Sequence, residues 1–159
     1  MRRVVRMSMV AAVAVAVVAS GITIGAAQDK EAAIKTRRDT MKRMGDDFKV
    51  ISDFAKGEAG DQATALAKAQ DLQATAPKIV ALFVPGTSST DFPGKTGAKP
   101  EIWTEMDKVK ALIPPLEAEE MKLTEAIKSG DKAAISAQIA STGKNGCGGC
   151  HTPYRAKLP

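Results

Sequence analysis

Cys147-Gly148-Gly149-Cys150-His151 is the stretch of this chain whose residue types and spacing can do chemistry. Two thiols separated by two residues and followed at once by an imidazole spell C-x-x-C-H, the attachment signature of a c-type haem. Both cysteines are needed because each thiol adds across one vinyl group of the porphyrin, and two intervening residues span the vinyls when the segment is helical. The histidine follows so that its imidazole can sit beneath the iron as the proximal ligand. Cys147 and Cys150 are the only cysteines and His151 the only histidine in 159 residues. A thioredoxin-like redox pair would need a βαβ setting, which the flanking sequence does not supply. A closed zinc site would need four ligands, and no second Cys/His cluster exists. A structural disulfide between the two cysteines is the remaining alternative.

The amino end supports the haem reading. Arg2, Arg3 and Arg6 form a basic region, an apolar stretch runs from Met7 to Val18, and Gly25-Ala26-Ala27 offers small residues for cleavage. The apolar run is shorter than the roughly 20 residues a spanning helix needs. The Arg2-Arg3 pair lacks the rest of a twin-arginine pattern. We therefore expect a cleaved signal peptide over 1–27 and one mature domain over 28–159, exported unfolded to the bacterial periplasm, where c-type haem is attached. The membrane would be met only through the signal peptide.

Charge excludes one function class. The full chain carries a formal +5, and removing the three signal arginines leaves about +2. No Lys/Arg run or aromatic stacking platform argues for nucleic acid.

The elements that must position the motif read as helices. Ile34, Met41, Met44, Phe48, Ile51 and Ala55 recur at helical spacing from Lys30 to about Lys56, where Gly57 stops the helix. A second helix is expected from Asp61, its cap, to Phe83, with Leu66, Leu72, Ile79 and Leu82 inward and Pro77 kinking or interrupting it. Val84 to Pro100 holds three prolines and three glycines, a long loop. A third helix is expected from Pro100 through Ile127, bent or broken at Pro114-Pro115. The fourth starts at Asp131 and resumes after Thr142-Gly143 to carry the haem motif to Ala156. No segment alternates as a strand. The fold class is all-α, an antiparallel up-down-up-down four-helix bundle with covalently bound haem. Its alanine-rich faces leave room between helices that a large apolar cofactor would fill.

These blocks resemble the class II c-type cytochromes, the cytochrome c prime family, over essentially the whole mature length. Cys147 to Arg155 matches the family's C-x-x-C-H-x-x-[FY]-[RK]. Ile34 to Met41 is similar to its Arg-x-x-x-[LM] start, and Phe83-Val84-Pro85-Gly86-Thr87 and Ala98 to Trp103 are also typical. The resemblance implies one covalent haem c, with Cys147 and Cys150 as its thioether attachments and His151 as the axial iron ligand. It implies that Arg37 lies near a haem propionate and Arg155 on the proximal side.

Met41 matches the family position that faces the distal side of the iron. A methionine ligand there gives low-spin iron suited to electron transfer, because a soft thioether fills the site and raises the potential. An unligated residue there leaves five-coordinate iron that binds nitric oxide or carbon monoxide. Met41-Lys-x-x-Gly45 and the Cys-Gly-Gly-Cys filling resemble the methionine-ligated branch, so the first expectation is a one-electron carrier serving periplasmic redox proteins. Gas binding is the alternative, and Met41 as mere packing, or Met44 in its place, is the competing assignment. Enzyme activity is not expected, since a peroxidase wants a distal base and the one histidine is already committed. A homodimer is the family's common assembly. The exposed faces of the first two helices are rich in charge, which suits a monomer equally well.

Overall fold

A computed structural model describes the backbone of residues 21–158 and the side chains of residues 28–158. The expected signal peptide, 1–27, falls outside the described side chains, and its first twenty residues fall outside the described backbone. No helix among the described residues is long and apolar enough to cross a membrane.

Helix α1 spans Gly21–Lys56 and closes at Gly57, whose φ of +75° is open to a residue without a Cβ. Helix α2, Gln62–Thr75, starts on Asp61, whose carboxylate accepts the Thr64 N–H at 2.7 Å. It ends earlier than the spacing predicts. After Thr75 the chain tightens into two 3₁₀ turns, Ala76–Lys78 and Val80–Leu82, because Pro77 has no N–H to continue the α ladder. Ile79 nevertheless stays buried, as expected.

The expected single third helix is three pieces: α3 (Glu101–Thr104), α4 (Met106–Ala111) and α5 (Ile113–Ser129). One break falls at Glu105, which leaves helical geometry with φ −118° and ψ 30°. The other falls at Leu112. Pro114 then occupies the first turn of α5, where a missing N–H is harmless. The prolines therefore begin a helix rather than bend one.

Gly130, with φ +72°, ends α5, and Asp131 caps α6 (Lys132–Ser141) by accepting from Ala133 and Ala134 N–H at 2.9 and 3.2 Å. A π-helical turn, Thr142–Cys147, joins α6 to α7, Gly148–Tyr154. The helix does not reach Ala156 as expected. Arg155 is extended and pairs with Ala98 as an isolated antiparallel bridge. The Ala156 N–H donates to the Gly97 carbonyl at 2.8 Å, and the Lys99 N–H donates to the Tyr154 carbonyl at 3.0 Å.

Helix α1 packs on α2 and α6, and α5 packs on α2, α6 and the π turn. These contacts close an antiparallel ring of four helical rods, the expected bundle. One end has a conventional core of Ile51, Phe54, Leu72, Leu123, Ile127 and Ile135 with small Ala65 and Ala69 between them. Each fully buried Ile or Leu there contributes roughly 1.5–3 kcal/mol. The other end lacks such a filled centre. Two smaller clusters, one around Ile102, Val109 and Tyr154 and one around Ala76, Ile79 and Leu116, flank a cavity instead.

Candidate haem site

The cavity has a volume of about 730 Å³, within the roughly 300–1,000 Å³ of small-molecule and cofactor clefts. All six residues singled out in the sequence, Arg37, Met41, Cys147, Cys150, His151 and Arg155, line it.

The π turn and α7 deliver the motif. Cys147 ends the π turn and Cys150 lies one helical turn on, so both thiols face one space. Both are free and partly buried. Burial pushes both thiols above their ordinary pKa, and the charge of Glu120 pushes Cys147 further. Both are therefore protonated at neutral pH. His151 is partly buried. Burial first, and the charge of Arg155 second, hold its imidazole below the usual range. It is neutral near pH 7, the form that binds metals.

The donor set fits a c-type haem. Two unpaired thiols three residues apart and one neutral imidazole line the same largely apolar cavity, which is open to a planar cofactor. Cys147 and Cys150 would hold the group through thioethers and His151 would bind its iron. When bound, the haem supplies a one-electron couple and an iron able to take a small sixth ligand.

Met41 projects from α1 and is half-buried against the Ala76, Ile79 and Leu116 cluster, which Cys147 also meets. Met44 occupies the same cluster and reaches the main core as well. The structure thus brings both candidate methionines to the cavity.

Arg37 is neither a solvent-facing charge nor a free one. It is 3% exposed. Its Nη1 donates to Thr87 Oγ1 at 2.9 Å and to the Leu82 carbonyl at 3.3 Å. Its Nη2 donates to the Thr87 carbonyl at 2.8 Å and to Thr96 Oγ1 at 3.0 Å. The guanidinium also lies 5.2 Å from the Phe83 ring centre and 5.9 Å from that of Trp103. These two rings meet edge to face at 6.0 Å, and the Trp103 indole N–H donates to the Phe83 carbonyl. Arg37 therefore holds the 84–100 loop against the cavity through both Nη atoms, and its Nε–H makes no hydrogen bond among the described residues.

Arg155 is exposed, and its Nη1 lies 3.5 Å from His151 Nδ1. Arginine only donates, so this contact is a hydrogen bond only to an unprotonated Nδ1. An iron on Nε2 would place the proton on Nδ1, and Arg155 would then act on the ligand through its charge alone. Tyr154, buried beside Cys150, donates its hydroxyl to Glu105 Oε2 at 2.8 Å and pins the end of α7 to the start of α4.

Sequence reasoning missed Glu120, which also lines the cavity and is 2% exposed. Its signal was legible: Leu116, Glu120, Leu123 and Ile127 share one face of α5 at spacings of four, three and four, so a carboxyl stands in an apolar row. The loop threonines Thr87 and Thr96 carried no comparable signal.

The family model for cytochrome C' matches residues 32–155. The cytochrome c' of Pararhodospirillum photometricum is 30% identical over 125 residues, covering 79% of this chain and 97% of that protein. Among solved structures, the cytochrome c' from Rhodobacter Spheriodes matches with a TM-score of 0.71 at 30% identity, over 80% of this chain and 98% of that one. A ferrous variant of cytochrome c prime from Alcaligenes xylosoxidans with bound NO matches with a TM-score of 0.66 at 28% identity, over 80% of this chain and 96% of that one. With the thiols, the imidazole and the cavity that joins them, these matches establish that the chain is a haem c protein belonging to the cytochrome c' family.

Proposed function

We propose that this protein binds a small diatomic gas, nitric oxide or carbon monoxide, at the sixth position of its haem iron, opposite His151. The observation that carries this reading is the apolar wall contributed by α1 and the segment from α2 to Ile79. Met41, Met44, Phe48, Leu72 and Ile79 line the cavity with thioether, ring and alkyl groups. Such a wall crowds the iron and favours a small, strong-field ligand over a bulky or strongly hydrogen-bonding one. The similar Alcaligenes protein with NO bound supports the same choice. This reverses the order of the two sequence expectations. The electron-carrier reading keeps one observation in its favour: Met41 lines the same cavity as His151, so its thioether is a candidate sixth ligand.

Export to the periplasm, electron exchange with periplasmic redox proteins, a homodimeric state and the absence of enzymatic turnover belong to the same proposal. They rest on the sequence signals and the family. The test is the optical and electron paramagnetic resonance spectrum of the ferric holoprotein beside Met41→Ala. Gas binding expects high-spin iron in both proteins, with faster nitric oxide uptake by the variant. A low-spin signal with a methionine-to-iron charge-transfer band that disappears in the variant would overturn it in favour of the electron carrier.

A further inference from the structure

Glu120 is the one buried side chain among the described residues with a polar atom left without a hydrogen-bond partner, its Oε2. An ionised carboxylate in that position would be expensive unless a positive charge came close. Neighbouring groups supply none. On its own helix Glu117 adds a like charge, while Lys122 is paired to Glu119 at 2.8 Å. From α2, Gln73 donates to the Glu120 backbone carbonyl and to the Thr124 hydroxyl. From α6, Gln138 donates to Glu119. On α1, Arg43 is turned to Thr75 and Asp47 to Lys68. From the π turn the facing ionisable group is Cys147, which becomes an uncharged thioether in the holoprotein. The other charged or titratable side chains lining the cavity are Arg37, Arg38, Cys150, His151, Tyr154, Arg155 and Lys157. None of them hydrogen-bonds to the Glu120 carboxyl.

Glu120 and His151 line the same cavity, and the charge there that would change with redox state is that of the haem iron. We propose that Glu120 is a redox-linked proton site of the haem cavity, neutral when the iron is ferrous and ionised when it is ferric. When an external one-electron donor reduces the iron, the Glu120 carboxylate takes one proton from solvent and becomes a carboxylic acid. When an acceptor removes the electron, the proton returns to water. Each cycle moves one electron and one proton in the same direction, and the net charge of the cavity stays constant. Burial first, and Glu117 second, raise the carboxyl to about 7, so the exchange falls in the neutral range. The inference rests on the covalent haem and holds for either sixth-ligand assignment.

The test is the midpoint potential of the holoprotein, measured by mediated spectroelectrochemistry from about pH 5 to about pH 9, on both sides of the carboxyl titration. The wild type is expected to show a potential that falls with pH through the neutral interval. A tenfold difference in proton affinity between the two oxidation states corresponds to about 59 mV. Glu120→Gln is expected to flatten that interval with an unchanged far-ultraviolet circular dichroism spectrum. Glu117→Gln, on a partly exposed position, is expected to move the fall to lower pH. A slope retained in Glu120→Gln assigns the proton to the haem propionates and overturns the proposal. So does a fall that Glu117→Gln leaves in place, which decides the matter if Glu120→Gln fails to hold haem.

Discussion

Truncating Arg37 should loosen the 84–100 loop and destabilise the protein by several kcal/mol. The magnitude follows from what each partner retains. In Arg37→Ala the Thr87 hydroxyl still donates to the Val84 carbonyl at 2.6 Å, and Thr96 Oγ1 still accepts the Ala98 N–H at 3.2 Å. The carbonyls of Leu82 and Thr87 lose the guanidinium, and Thr87 is fully buried. An orphaned buried acceptor costs about 1–3 kcal/mol. Loss of the Phe83 and Trp103 ring contacts adds about 0.5–1 kcal/mol each. Relief of the buried charge, visible in the lowered pKa of Arg37, offsets part of this. The expected net loss is about 3–4 kcal/mol. Arg37→Lys should fall between wild type and alanine, because an ammonium cannot reproduce the fork. Urea unfolding of the ferric holoprotein, paired with limited proteolysis of the loop, measures both effects. A stability within about 1 kcal/mol of wild type, with the loop no more readily cut, would refute the view of Arg37 as the loop's clamp.

Other expectations concern the same scaffold. Because burial raises Glu120 from 4.5 to about 7, its neutral form stabilises the fold fully below about pH 4.5, and that contribution is lost as pH rises through about 7. In the ferrous holoprotein, Glu120→Gln should therefore gain up to about 3 kcal/mol over wild type near pH 8 and nothing near pH 4.5, read by urea unfolding at both. Asp131→Ala removes the acceptor of two α6 N–H groups and should cost about 1 kcal/mol, seen as a lower thermal midpoint. A Cβ at Gly97 would sit 2.5 Å from the Ala156 carbonyl oxygen, so Gly97→Ala should force the two segments apart. A loss of about 1–3 kcal/mol should accompany faster hydrogen exchange at the Ala156 amide.

Periodicity and punctuation were legible where one residue decides the outcome alone. Gly57, Asp61, Gly130 and Asp131 end and begin helices through their own backbone or side-chain chemistry, and Pro77 interrupts through its missing N–H. The thiols and imidazole were legible because covalent attachment fixes their spacing. Tertiary partners were not. Apart from the family match, Arg37 read as a helix-surface arginine, and its buried partners Thr87 and Thr96 lie fifty and fifty-nine residues away. The helix end at Tyr154 depends on Gly97 and Ala98 offering a backbone edge, which no local pattern announces. The break at Glu105 coincides with its bond to Tyr154, another long-range partner.

The π turn at Thr142–Cys147 sets the aim of the whole motif. Ile135, Thr142 and Gly146 are buried before it ends; Cys147, Cys150 and Tyr154 point inward after it. The inward row thus slips by one residue between Gly146 and Cys147, as an i→i+5 turn requires. One residue in an α-helix corresponds to about 100° of rotation. Rewinding the same residues as a plain α-helix would rotate both thiols and the imidazole by about that angle, whereas deleting one residue together with the π turn would leave them on the inward face. Here the hydrogen-bond register of one turn, more than the identity of any one side chain, decides which face the attachment motif presents.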